Sequence, residues 1–223
     1  MPDSAANTHE FDAIADRPIR MGVLISGGGT TLLNFVSQIE AQTLSAVIPV
    51  VIASQRSCQG VQRAKDLGLN VLVIRPRDFM DVDAFSAAVF AELRRYDLDL
   101  VALAGFLSLL IVPEDFRWRV LNIHPSLIPA FCGQGFYGHH VHEAAIARGV
   151  KVSGCTVHFA DNHYDHGPII LQEVVSVPDD ATPDQLASMV FETEKVAYPE
   201  AIRRIASGHL SVADGRCFYS TDA

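Results

Sequence analysis

The stretch "RMGVLISGGGTTLLNFVSQIEAQ" (residues 20–42) decides the fold. An unbroken apolar run comes first, then three consecutive glycines, then a helical pattern. Apolar runs without polar alternation are what strands buried on both faces of a parallel sheet look like. The glycines let the backbone turn tightly and come close to a ligand. Thr30 and Thr31 follow with amides and hydroxyls at a helix N-terminus, where the dipole favours an anion. There is no Lys for a Walker A loop, and Leu32 stands where G-x-G-x-x-G would place its last glycine. The expectation is a strand–turn–helix unit whose Gly28, Gly29, Thr30 and Thr31 hold a phosphate.

The same texture recurs outward from this unit. "AVIPVVIAS" (46–54), "NVLVI" (70–74) and "LDLVALAG" (98–105) read as further buried strands. Helical patterns lie between, at 31–42, 60–68 and 81–96; in the last, Phe85, Val89 and Leu93 recur every four residues. Strand–helix alternation of this kind predicts an α/β, Rossmann-like, doubly wound and mostly parallel sheet. After "RVLNIHP" (119–125) the runs 153–160 and 168–178 follow each other closely, which predicts antiparallel C-terminal strands. A final helix is expected from Thr182 as N-cap, with Pro183 at its first position and Gln185 completing a capping box, to a stop at Gly208.

Of the 223 residues, 49% are hydrophobic and 19% charged, enough for one sizeable core. The net charge of −9 and the lack of a basic run argue against nucleic acid as a partner. No apolar run reaches membrane-spanning length. Cys58, Cys132, Cys155 and Cys217 form no CxxC pair, which suits reduced thiols in a cytoplasmic protein. Residues 1–19 carry four acids and no apolar core, so they are expected to be a flexible extension rather than a signal peptide. One domain is expected over 20–215, with 216–223 as a tail. Monomer and homodimer are both open.

"LNIHPSLIP" (121–129) places Asn122 and His124 on one side of a strand near its carboxyl end, where open α/β sheets bind ligands. An amide and an imidazole there can stabilise a developing oxyanion, while two prolines stiffen the exit. "DNHYDHGPII" (161–170) concentrates Asp161, His163, Asp165 and His166. It fits no zinc spacing, and no metal is expected. A carboxylate from this loop reaching His124 would favour the imidazolium and orient its ring. His139, His140 and His142 fall in a glycine-rich loop leading into a helix from about Val141. No nucleophile motif supports a covalent mechanism.

Taken together, "LISGGGTTL", "LDLVALAGFLSLL", "VLNIHPSLIPAF" and "GCTVHFADNHYDHGPIILQE", in this order, resemble the phosphoribosylglycinamide formyltransferases of the folate-dependent formyltransferase superfamily. The likeness covers about residues 20–212. It implies the formyltransferase fold, with a nucleotide-binding half followed by a folate-binding half. It implies formyl transfer from 10-formyltetrahydrofolate, as cosubstrate, to the amine of glycinamide ribonucleotide in purine synthesis. Asn122 and His124 would then flank the formyl oxygen, with Asp165 keeping His124 protonated. Gly28, Gly29, Thr30 and Thr31 would hold the substrate phosphate and Glu194 the ribose hydroxyls. Leu107, Ser108, Leu109 and Leu110, with Asp161, Asn162, His163, Tyr164 and Asp165, would wall the pterin pocket, and His158 would lie beside the cofactor. Two departures stand out: Thr31 replaces an Asn common in relatives, and Ser108 replaces a basic residue. Formyltetrahydrofolate hydrolase and other 10-formyltetrahydrofolate-dependent formyltransferases are the alternatives.

Overall fold

The computed structural model describes residues 8–220. Ten strands and five helices follow in the order β1 (His9–Glu10), β2 (Ile19–Ile25), α1 (Thr30–Glu40), β3 (Ala46–Ala53), α2 (Gln59–Asp66), β4 (Val71–Val73), α3 (Val82–Leu93), β5 (Leu100–Leu103), β6 (Val120–His124), α4 (His139–Arg148), β7 (Val152–Phe159), β8 (Ile169–Ser176), α5 (Pro183–Ala206), β9 (Leu210–Ala213) and β10 (Arg216–Tyr219). Seven strands form the main sheet in the order β4-β3-β2-β5-β6-β7-β8. The first five are parallel, whereas β7 pairs antiparallel with both β6 and β8, as the closely spaced apolar runs imply. Helices cover both faces. Leu32 and Phe35 of α1 and Tyr198 and Ile202 of α5 pack on one; Phe85, Val89, Phe90 and Leu93 of α3 pack on the other. Strand order reverses between β2 and β5, which puts the ligand crevice of such a sheet at the carboxyl ends of β2, β5 and β6.

Local chemistry sets the elements that frame this crevice. Gly29 caps α1 in the left-handed region, with φ of 74°, and a Cβ there would meet Gly60 Cα at 2.9 Å. Only glycine satisfies both the conformation and the close approach of α2. The capping box of α5 forms as expected: Thr182 Oγ1 accepts from Gln185 N at 3.2 Å, and Gln185 Oε1 from Thr182 N at 2.8 Å. Pro199 lies inside α5 and has no N–H for the Lys195 carbonyl. Asn34 of α1 supplies the missing donor at 3.0 Å, so the two helices that flank the crevice are tied together where the proline frees a group. The fully buried Tyr198 hydroxyl lies 2.8 Å from Leu121 O and 3.2 Å from Leu103 O, pinning α5 to β5 and β6.

The ends of the chain depart from expectation. Residues 8–19 are not a free extension over the length described. β1 pairs with β9, Ile14 N donates to Ala206 O at 2.8 Å, and Phe11 stacks on Phe159. Arg17 makes a two-pronged pair with Asp99. The expected tail forms β10, paired antiparallel with β9. These short strands carry too few apolar residues for a sequence signal; each is ordered by the surface it covers. Residues 1–7 and 221–223 lie outside the described residues. The helix expected from Val141 begins at His139.

Replacing Tyr198 with Phe removes the one buried hydroxyl donor that ties α5 to the carbonyls of β5 and β6. The expected cost is about 1–3 kcal/mol of unfolding free energy, read from the denaturation midpoint at unchanged m-value.

Candidate active site

The crevice is a cleft of about 650 Å³ lined from β6, from the loops at 105–110, 133–139 and 160–165, and from α1, α4 and α5. Asn122 and His124 alternate onto one side of β6. On antiparallel β7 their opposite numbers are His158 and Thr156. Asp165, on the β7–β8 loop with a left-handed φ of 53°, turns its carboxylate back onto them. Its Oδ2 accepts from Gly133 N at 2.9 Å and lies 3.4 Å from His124 Nδ1; its Oδ1 accepts from Asn122 Nδ2 at 3.3 Å. Largely buried charges need donors, and this carboxylate draws them from two segments, the end of β6 and the loop that follows it. The other nitrogen of His124, Nε2, donates to the Phe131 carbonyl at 2.8 Å, which leaves Nδ1 as the ring nitrogen that faces Asp165.

His158 backs this group from inside the sheet. It is 1% exposed; its Nδ1 donates to Phe159 O at 2.8 Å, and its Nε2 lies 3.1 Å from Asn122 Nδ2. Burial pushes its pKa down. Both ring nitrogens are thus engaged within the protein, although the ring edge lines the cleft.

The other sequence-derived positions divide. Thr30, Thr31 and Glu194 line one end of the cleft, and Gly28 and Gly29 shape the turn beneath them. The Gly28 carbonyl accepts from Arg63 at 2.7 Å. Leu107 to Leu110, Asp161, His163 and Tyr164 wall the other end. Asn162 faces away: its Oδ1 accepts from Val112 N, binding the two wall loops to each other. Asp161 accepts from His163 N and pairs with His166 at 2.7 Å, which accounts for the dense acid–imidazole stretch by contacts within the loop. His139 and His140 are exposed and pair with Glu143, and His139 also with Asp184. His142 is buried in the cleft wall, and desolvation, with the charges of His139 and His124 second, lowers its pKa to about 4. Its Nδ1 has no partner among the described residues.

Phe131, Gly133 and the 134–138 loop were not singled out from sequence. Phe131 and Gly133 act through backbone groups, which no residue type announces, and the glycines at 133, 135 and 138 are the loop's local signal. The Cys132 thiol, held up by burial and by nearby Asp165, is a poor nucleophile.

Burial pushes the Glu194 carboxyl from its ordinary 4.5 up to about 7. A folded-state value above the unfolded one contributes stability that is whole below about 4.5 and lost as pH rises through about 7. Glu194→Gln should therefore match wild type in acid and exceed it in Tm above pH 7. A Tm difference independent of pH would contradict this.

Comparison with known proteins follows the same lines. Residues 19–202 match the family described as Formyl transferase. The chain is 34% identical over 201 residues to the chloroplastic phosphoribosylglycinamide formyltransferase of Arabidopsis thaliana, covering 88% of this chain and 69% of that one. It is 34% identical over 212 residues to the trifunctional purine biosynthetic protein adenosine-3 of Gallus gallus. That match takes in 94% of this chain, which spans about a fifth of the trifunctional relative, 21% of its length. The crystal structure of glycinamide ribonucleotide transformylase 1 from Symbiobacterium toebii superposes with a TM-score of 0.85 at 39% identity, covering 92% of this chain and 95% of that one.

Proposed function

The chain belongs to the formyl transferase family, on its phosphoribosylglycinamide formyltransferase branch, and from that premise we propose that the cleft transfers the formyl group of 10-formyltetrahydrofolate to the amine of glycinamide ribonucleotide in purine synthesis. The single observation that carries this reading is the convergence of Asn122, His124 and Asp165 between two kinds of pocket wall. The helix N-terminus with Thr30 and Thr31, facing Glu194, suits a phosphorylated sugar. The apolar wall of Leu107 to Leu110 with Tyr164 suits a flat pterin ring. The reacting groups meet in the middle.

In this reading the amine nitrogen attacks the formyl carbon. The new C–N bond forms as the carbonyl π pair moves onto oxygen. The imidazolium of His124, largely buried and therefore weakly screened, stabilises that oxyanion. Collapse breaks the bond to the folate nitrogen, which leaves with the electron pair and takes the proton from His124 Nδ1. The surplus proton of the amine departs towards Asp165, which faces the same ring nitrogen at 3.4 Å. Transfer is direct, and no side chain forms a bond to the formyl group. The Asp161–Tyr164 loop and residues 107–110 hold the cosubstrate. Thr31 supplies a hydroxyl, in place of an amide, for the phosphate.

The working unit is one domain built on the seven-stranded sheet, acting in the cytoplasm with its cysteines as free thiols. Among the described residues, no helix is long and apolar enough to cross a membrane. The net charge of −9 fits small-molecule substrates better than a nucleic-acid backbone.

Absorbance of 10-formyltetrahydrofolate, followed with and without glycinamide ribonucleotide, tests the assignment. Consumption that requires the ribonucleotide is expected. Consumption without it would point to hydrolysis, and none in either case would refute the proposal. His124→Ala should lower kcat by at least ~10².

A further inference from the structure

The hydrogen bonds around Asn122 fix which way its side-chain amide points. A carbonyl oxygen can only accept, so the 2.8 Å contact between His158 and Phe159 O fixes the ring proton on Nδ1. Burial at 1% exposure disfavours a second proton. Nε2 is then a bare lone pair, and its partner at 3.1 Å must donate. The other neighbour of the same amide, Asp165 Oδ1 at 3.3 Å, is a carboxylate oxygen and also needs a donor. Two acceptors on one end of an Asn side chain leave a single orientation: Nδ2 inward, with one hydrogen for each, and Oδ1 outward. Oδ1 has no hydrogen-bond partner among the described residues, and Asn122 is half-buried in the cleft lining.

We propose that His158 is a positioning residue whose Nδ1–H tautomer locks the Asn122 amide, so that Asn122 meets the substrate as a hydrogen-bond acceptor for the attacking amine. This rests on the formyl-transfer reading and sharpens it. An acceptor aimed at an amine N–H turns the nitrogen lone pair towards the formyl carbon, which a donor cannot do. The oxyanion is then left to the imidazolium of His124. The roles separate cleanly: Asn122 orients the nucleophile, His124 answers the charge that develops, and Asp165 holds both. His158 itself touches no reacting atom. It acts from the neighbouring strand through the cross-strand register that sets it opposite Asn122.

Two measurements test this. Nitrogen-15 NMR of the wild-type imidazoles at pH 7 should show a pyrrole-type Nδ1 and a pyridine-type Nε2 for His158. The reverse tautomer, or a doubly protonated ring, would overturn the lock whether or not the enzyme transfers formyl groups. In steady-state kinetics, His158→Ala should lower kcat/KM for glycinamide ribonucleotide by about tenfold or more, the scale of one oriented hydrogen bond. The dissociation constant for the folate cosubstrate should stay near wild type. His158→Gln, whose Oε1 can accept from Asn122 Nδ2, should recover part of that loss. Equal recovery by His158→Leu, which fills space without an acceptor, would overturn the proposal, as would a loss confined to folate binding. If the wild-type protein consumes no 10-formyltetrahydrofolate with the ribonucleotide, it is the formyl-transfer reading that fails, while the tautomer is still read independently.

Discussion

The carboxylate of Asp165 is the constraint on which the site depends. At 9% side-chain exposure it must draw compensation from the protein, and it does so from the backbone at Gly133, the amide of Asn122 and the imidazole of His124. All three lie 32 to 43 residues before Asp165 in the chain. One buried charge thus sets the position of the β6 strand end, the glycine loop after it and the β7–β8 loop with respect to each other. The backbone at Asp165 is left-handed, a conformation that Asp tolerates better than most residues. Local conformation and charge compensation select the same residue.

Around that centre the sheet works as a frame. The carboxyl ends of β2 and β5 diverge at the reversal of strand order, and the loops leaving them form the two ends of the cleft. Those loops are bonded to one another: Ser26 Oγ accepts from Leu107 N at 2.9 Å and is hydrogen-bonded to Ser54 Oγ at 2.6 Å. The strand end before the glycine turn and the 107–110 wall therefore share a rigid seam. On the other flank, α5 carries Glu194 and is held by Asn34 and by Tyr198. Such bracing limits how far the two ends of the cleft can drift apart, which any reaction between two bound molecules requires.

The histidines show how the same side chain takes separate roles by environment. His124 faces a carboxylate and a carbonyl; His158 is a buried tautomeric clamp; His142 is buried and held neutral by desolvation. His139, His140, His163 and His166 are exposed and paired with acids. In the sequence, His163 and His166 invited a metal reading as readily as any, and nothing local separated His142 from His139.

Much of the architecture was legible in residues 20–42 and their echoes, because burial on both faces of a parallel strand demands unbroken apolar runs and the following turn demands glycine. The capping box of α5 and the facing of Asn122 and His124 on one strand side were equally local and equally readable. What tertiary structure alone decided is whatever depends on contacts between distant segments. The pairing of His9–Glu10 and Arg216–Tyr219 as strands, and the packing of residues 11–18 between them and the main sheet, belong here, since each is too short to bury itself. So do the hold of the Phe131 carbonyl on His124, the turning of Asn162 away from the cleft, and the orientation of the Asn122 amide. A sequence specifies which groups can donate and accept; only the fold brings a particular acceptor to a particular donor, and hydrogen bonding falls away within a fraction of an ångström beyond contact.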